Sequence, residues 1–286
     1  MKNAAIYIHG KKGNAEEAAL YQKNLSNEYE VIGFDYQSAF PWEAKTEFSD
    51  FFDHIAAQYG EIILIANSIG AYYSMLSLAD KAIKKAMFIS PIVDMEKLIL
   101  DMMALVNVSE QELYQKKIIA TPFGEPLSWE YLSYARTHPI IWKIPTNILY
   151  AANDNMVSLE TMTEFAKKIH ANLTVMENGE HWFHTEEQMA FLNIWLKSSY
   201  NQSQPLFSQP TPCFPTYSLP NPTCTPTPYP ATASFQVAFP HVLPRLPETA
   251  RPPERTCKKL PPQQTVLIKC GTFLAIHFPH AKQTLR

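Results

Sequence analysis

Short apolar runs recur along the first 200 residues, at 4–8, 30–34, 62–66, 85–90, 147–150 and 173–176. Most are nearly continuous rather than alternating, the pattern of strands covered on both faces of a parallel sheet. Between them lie stretches near 15–26, 42–58, 69–79, 158–169 and 186–199 in which apolar residues return every three or four positions, as amphipathic helices require. Several carry start signals. Pro41 suits a first helical position, Ser158 suits a cap, and Thr185 with Gln188 has the spacing of a capping box. Strand and helix in alternation predict an α/β fold, a doubly wound and mostly parallel six-stranded sheet.

Residues 95–143 interrupt this rhythm. Met95, Leu98, Met102, Met103, Leu105 and Val106 follow a helical period, Ser109 and Glu112 start a second short helix, and 129–134 read as a third. About 50 residues between two strands exceed an ordinary connection. One reading is extra core helices. The other is a small helical cap beyond the C-terminal end of a strand, where such sheets bind ligands, with Met and aromatic side chains lining a pocket.

After residue 199 both periods stop. Seventeen of the 23 prolines and all four cysteines lie beyond residue 200. Residues 1–200 carry 25 acidic and 16 basic residues, a net of −9, against a net of +6 for the remainder. The chain therefore divides into an acidic domain over 1–199 and a basic, Pro-rich tail over 200–286. Two readings of the tail stay open: a disordered segment, whose Pro- and Arg-containing stretches suit a Pro-binding module, or out-of-frame translation. About 200 residues suffice to bury a core without disulfides. Their lack of cysteine, the short apolar run before His9 and the absence of any 18-residue apolar stretch predict a cytoplasmic protein with no membrane span. The acidic balance argues against a nucleic-acid partner.

Four segments carry candidate chemistry. In Ile62–Gly70 an apolar strand runs into Ala66-Asn67-Ser68-Ile69-Gly70 and then into a helix. Small residues two before and two after the serine let strand and helix approach and leave its hydroxyl exposed; the plain alternative is a serine capping a helix. His9-Gly10-Lys11-Lys12-Gly13-Asn14 follows the first strand as a Gly-rich turn, and lacks the Lys-Ser/Thr ending of a phosphate-binding loop. Asp154 follows the fifth run by four residues and precedes the helix capped by Ser158; Asp94 is the other acid beyond a strand. Glu177-Asn178-Gly179-Glu180-His181-Trp182-Phe183-His184 lies between the last strand and the last helix. Its histidines are His181 and His184, and these with Glu180, three neighbouring ligands in one turn, are no zinc framework.

Together these segments resemble the α/β-hydrolase superfamily, in particular small bacterial serine hydrolases of carboxylesterase type, over residues 1–199. Ala66-Asn67-Ser68-Ile69-Gly70 resembles the nucleophile elbow, with Ala where Gly is commoner. His9–Asn14 resembles the HGxxGN oxyanion loop, and Gly179–Phe183 the G-x-x-H-x-F ending. The resemblance implies Ser68, Asp154 and His181 as a catalytic triad, in the family's chain order, with the backbone amides of Lys11 and Ile69 as the oxyanion hole. It implies hydrolysis of small or medium carboxylic esters, a small-molecule acyl substrate, and no cofactor or metal. Thioesterase, acyltransferase and peptidase activities use the same triad, and the fold also serves as a non-catalytic ligand-binding protein.

Overall fold

A computed structural model describes residues 1–201; the expectations for the rest of the Pro-rich tail lie outside the described residues. Six strands form the main sheet: β1 (Asn3–Ile8), β2 (Tyr29–Phe34), β3 (Ile62–Asn67), β4 (Lys85–Ile89), β7 (Thr146–Ala151) and β8 (Asn172–Met176). Their order is β2-β1-β3-β4-β7-β8 and every pairing is parallel. The remaining pair, β5 (Ile118–Ile119) and β6 (Leu127–Ser128), makes a small antiparallel hairpin.

The continuous apolar runs are explained by helices on both faces. On one face Ile6, Ile8, Leu64, Phe88 and Ile148 meet Phe48 and Phe52 of α2 (Pro41–Ala56), Tyr72 of α3 (Ser68–Ser77) and Phe165 of α7 (Leu159–Lys168). On the other Ala5, Tyr7, Ile63, Ile65 and Leu149 meet Tyr21 of α1 (Ala18–Gln22) and Leu192, Trp195 and Leu196 of α8 (Glu186–Asn201). Gly33 shows how closely the layers pack: a β-carbon there would stand 2.0 Å from the carbonyl oxygen of Ala15.

The predicted starts hold in most cases. Pro41 opens α2, where the Glu43 side chain accepts from the amides of Ala39 and Phe40. Ser158 accepts from the Thr161 amide at 3.2 Å. At α8 the Thr185 hydroxyl accepts from the Gln188 backbone amide, but the Gln188 side-chain oxygen accepts from the backbone amide of His184, one residue upstream of a capping box. The first helical stretch is shorter than its periodicity suggests, a 3-10 turn (Ala15–Glu17) followed by the five residues of α1. The end of α8 is held by the Lys85 ammonium, which donates to the carbonyls of Ser199 and Tyr200.

Between β4 and β7 lie α4 (Met95–Leu105), α5 (Glu110–Lys116), the β5–β6 hairpin and α6 (Trp129–Thr137). Both readings of this insertion have a physical basis. Met95, Ile99 and Met103 are buried with the main core, as extra core helices require. Tyr131 of α6 packs edge-on against Phe40 and Trp42 at the start of α2. Glu125, in the turn of the hairpin, pairs with Lys11 after β1. The insertion thus reaches across the C-terminal ends of the strands as a cap. No helix among the described residues is long and apolar enough to cross a membrane.

Candidate active site

Ser68 sits where β3 ends and α3 begins, with φ +49°. This left-handed conformation is rare for a residue with a β-carbon, and the surroundings enforce it. A β-carbon on Gly10 would lie 3.3 Å from that of Ser68, and one on Gly70 would lie 2.3 Å from the His9 carbonyl oxygen. The Ile92 amide donates to the Ser68 carbonyl at 3.2 Å. The turn is thus clamped by the loop after β1 and the segment after β4, and Ala66 is fully buried within it.

Asp154 lies in the loop after β7, its side chain fully buried. One carboxylate oxygen accepts from the amides of Met156 and Val157 at 2.7 and 3.2 Å. The other lies 2.7 Å from Nδ1 of His181. Because a carboxylate accepts, the His181 Nδ1–H donates. In the neutral ring this leaves Nε2 as an acceptor, and it lies 2.8 Å from the Ser68 hydroxyl oxygen. The hydroxyl therefore donates to the imidazole. The acid and histidine loops are bound together: the Asn153 amide donates to Gly179 at 3.0 Å, and a β-carbon on Gly179 would lie 3.1 Å from that of Ala151. Small residues at both positions let the loops touch.

The other candidates lie apart. Asp94 accepts from the Lys97 amide and caps α4. His184 is exposed and its Nδ1–H donates to the carbonyl of Trp182. The Ile69 amide, in the first turn of α3, has no acceptor one turn back. The Lys11 amide lies in the loop pressed against Ser68, and makes no backbone hydrogen bond to a described residue.

Sequence reasoning missed three features. His9 stacks on Tyr36 with ring centres 4.3 Å apart, and the Tyr36 hydroxyl donates to the His9 carbonyl, bracing the Gly10 loop. Trp182, beside His181, is 75 % exposed. Asn67 donates to the hydroxyls of Tyr7 and Tyr21, and Tyr7 in turn donates to Glu17. Asn67 adjoins Ser68 and Trp182 adjoins His181, which was the one local signal for each; the Tyr36 contact of His9 spans 27 positions.

No protein-family model matches the chain, and no curated protein sequence matches it. Among solved structures it is similar to Est1E from Butyrivibrio proteoclasticus, with a TM-score of 0.57 and 19 % identity, over 69 % of this chain and 86 % of that one. It is also similar to alpha/beta hydrolase domain-containing protein 10 from mouse, with a TM-score of 0.55 and 15 % identity, over 68 % and 88 % of the two chains. Est1E also has a structure with ferulic acid bound, which matches with a TM-score of 0.55. The protein has the α/β-hydrolase fold.

Proposed function

We propose that the protein is a serine hydrolase that cleaves small or medium carboxylic esters through an acyl-enzyme. The observation that carries this reading is the unbroken relay from Asp154 through His181 to the Ser68 hydroxyl, at 2.7 and 2.8 Å. Ser68 attacks the ester carbonyl while Nε2 of His181 takes its proton and then delivers it to the departing alcohol. Water attacks the acyl-enzyme by the same route in reverse. Asp154 holds the imidazole in the productive tautomer and stabilises its charged form. The amides of Ile69 and Lys11 receive the developing oxyanion, aided by the positive end of α3.

Each role needs only the chain's own residues. The Asp154 loop is preorganised by its own amides. The apolar and aromatic cap favours an acyl substrate over a strongly charged one. Ferulic acid, seen bound to Est1E, is a carboxylic acid of the kind ester hydrolysis releases, and esters of such acids belong in a first substrate panel. The cysteine-free residues 1–200 suit a reducing compartment, in keeping with a cytoplasmic enzyme.

The test is fluorophosphonate labelling with peptide mapping, followed by matched ester, thioester and amide substrates. Adduct formation on Ser68, lost in Ser68→Ala, with ester turnover exceeding thioester and amide turnover, is expected. An unlabelled, folded protein without turnover would point instead to a ligand-binding role for the fold.

A further inference from the structure

Asn67 ends β3 with its side chain on the sheet face that also carries Tyr7, Ile63 and Ile65. Its carboxamide nitrogen donates to the Tyr7 hydroxyl at 2.9 Å and to the Tyr21 hydroxyl at 3.3 Å. The Tyr7 hydroxyl is bonded in turn to the Glu17 carboxylate. The direction of these bonds is fixed. A carboxylate accepts, so Tyr7 gives its proton to Glu17 and presents a lone pair to Asn67. Glu17 also abuts the Gly10 loop, since a β-carbon on Gly13 would lie 2.9 Å from its Oε1.

We propose that Glu17, Tyr7 and Asn67 form a half-buried strut that fixes the spacing between the two backbone segments flanking Ser68, and so positions the amides of Lys11 and Ile69. One end of the strut is the residue before Ser68 and the other stands behind the loop that carries Lys11. The middle is a side chain of β1, the strand that pairs directly with β3. The two segments have no covalent connection shorter than more than fifty residues, so their separation is set by noncovalent contacts alone. Oxyanion stabilisation depends steeply on that separation, because both donors must converge on one oxygen.

The chemistry of the strut suits a fixed length. Burial, with Tyr21 and Glu17 close by, pushes the Tyr7 phenol far above the usual tyrosine range, in keeping with its part as donor to Glu17. The Tyr7 and Tyr21 rings stack with centres 4.6 Å apart, which holds the phenol laterally. Packing alone would be served by phenylalanine at position 7. The hydroxyl adds polar contacts to Asn67 and Glu17, and both lead to segments beside Ser68.

The inference rests on the reading of Ser68 as nucleophile for its catalytic consequence, but not for its structural one. Tyr7→Phe in the full chain keeps the ring and removes the strut. Amide exchange is expected to quicken in residues 9–14 and 66–71 and to stay unchanged in the rest of the sheet. On p-nitrophenyl butyrate, kcat is expected to fall roughly 10- to 100-fold while KM changes less than about threefold, as expected when donors are misplaced for the transition state but not for substrate. Glu17→Ala should reproduce both effects, and Glu17→Gln, whose amide oxygen still accepts, should restore them. Unchanged exchange in the two segments overturns the strut, as does a Tyr7→Phe enzyme whose kcat stays within about threefold of the parent. A wild-type protein without fluorophosphonate labelling or turnover sinks the hydrolase reading instead, and the exchange pattern then still decides the strut.

Discussion

A β-carbon on Gly70 would stand 2.3 Å from the carbonyl oxygen of His9. That oxygen belongs to backbone and is itself bonded by Tyr36, so it has no free side chain to swing away. Gly70→Ala is expected to cost about 1–3 kcal/mol by overpacking and to slow serine labelling sharply by pushing the Gly10 loop off Ser68. Urea midpoints and labelling rates check this. Ala66→Gly, two residues before Ser68, should keep labelling and cost about 0.5–1 kcal/mol through backbone entropy.

Ser68→Ala is expected to lower ester turnover by at least about 10³-fold while the thermal transition survives. Ser68→Gly should be equally inactive and more stable than Ser68→Ala by about 1 kcal/mol. The positive φ at this position penalises any residue with a β-carbon. Near-native turnover by a folded Ser68→Ala protein would falsify the triad.

His181→Ala should abolish activity and His184→Ala should leave most of it. Among the described residues the ring of His184 meets nearby groups, donating to the Trp182 carbonyl and lying 3.7 Å from the Glu180 carboxylate, whereas His181 bridges Ser68 and Asp154. Steady-state kinetics of the two variants separates them; the reverse pattern would reassign the base.

Alkaline conditions give a further check. Burial pushes the Tyr73 phenol up to about 12, against about 10 in the unfolded chain. Between those values the native state holds a proton that the unfolded state has lost, so stability falls as pH rises, by about 1.4 kcal/mol per pH unit for this group. Below pH 10 both states are protonated and the contribution is flat. Tyr73→Phe should reduce the slope of unfolding free energy over pH 10–12 by about one proton's worth, measured by urea titration at closely spaced pH values. An unchanged slope would show that Tyr73 ionises in the folded protein as it does in the unfolded one.

Removal of residues 202–286 is expected to leave a folded, active protein, because every group assigned to the chemistry precedes them. Ending the chain at residue 197 should instead lower the thermal midpoint. It would delete the carbonyls that receive Lys85, and Tyr200, whose ring packs edge-on against Tyr29 and whose hydroxyl meets Ser26 at 2.6 Å. Loss of the cooperative transition in the 1–201 protein would place the domain boundary further along the chain.

The four central strands were legible because burial on both faces writes a nearly continuous apolar run, while the edge strands β2 and β8, only partly buried, were read from shorter runs. Pro41, Ser158 and Ser109 were legible because caps act over two or three residues. The β5–β6 hairpin was not, since two residues a strand leave no period to detect. The Ser68, Asp154 and His181 positions stood out because each follows a strand and keeps the spacing of a known motif. Tyr7 did not, because within Ala4–Ile8 a tyrosine reads as one more core residue. Its hydroxyl acquires meaning only from Glu17 and Asn67, ten and sixty residues away. The Lys11–Glu125 pair was hidden for the same reason, spanning 114 positions.

The separation of Ser68 from His181 has a temporal side. The serine lies 113 residues ahead of the histidine that bonds to it, and β8 must be added at the sheet edge before the histidine loop has a place to stand. A ribosome releases the serine-bearing segment long before the imidazole is synthesised. On the proposed mechanism, the emerging polypeptide carries an unactivated alcohol throughout most of translation. On that mechanism the serine would gain its base only in a late step, once His181 joins it.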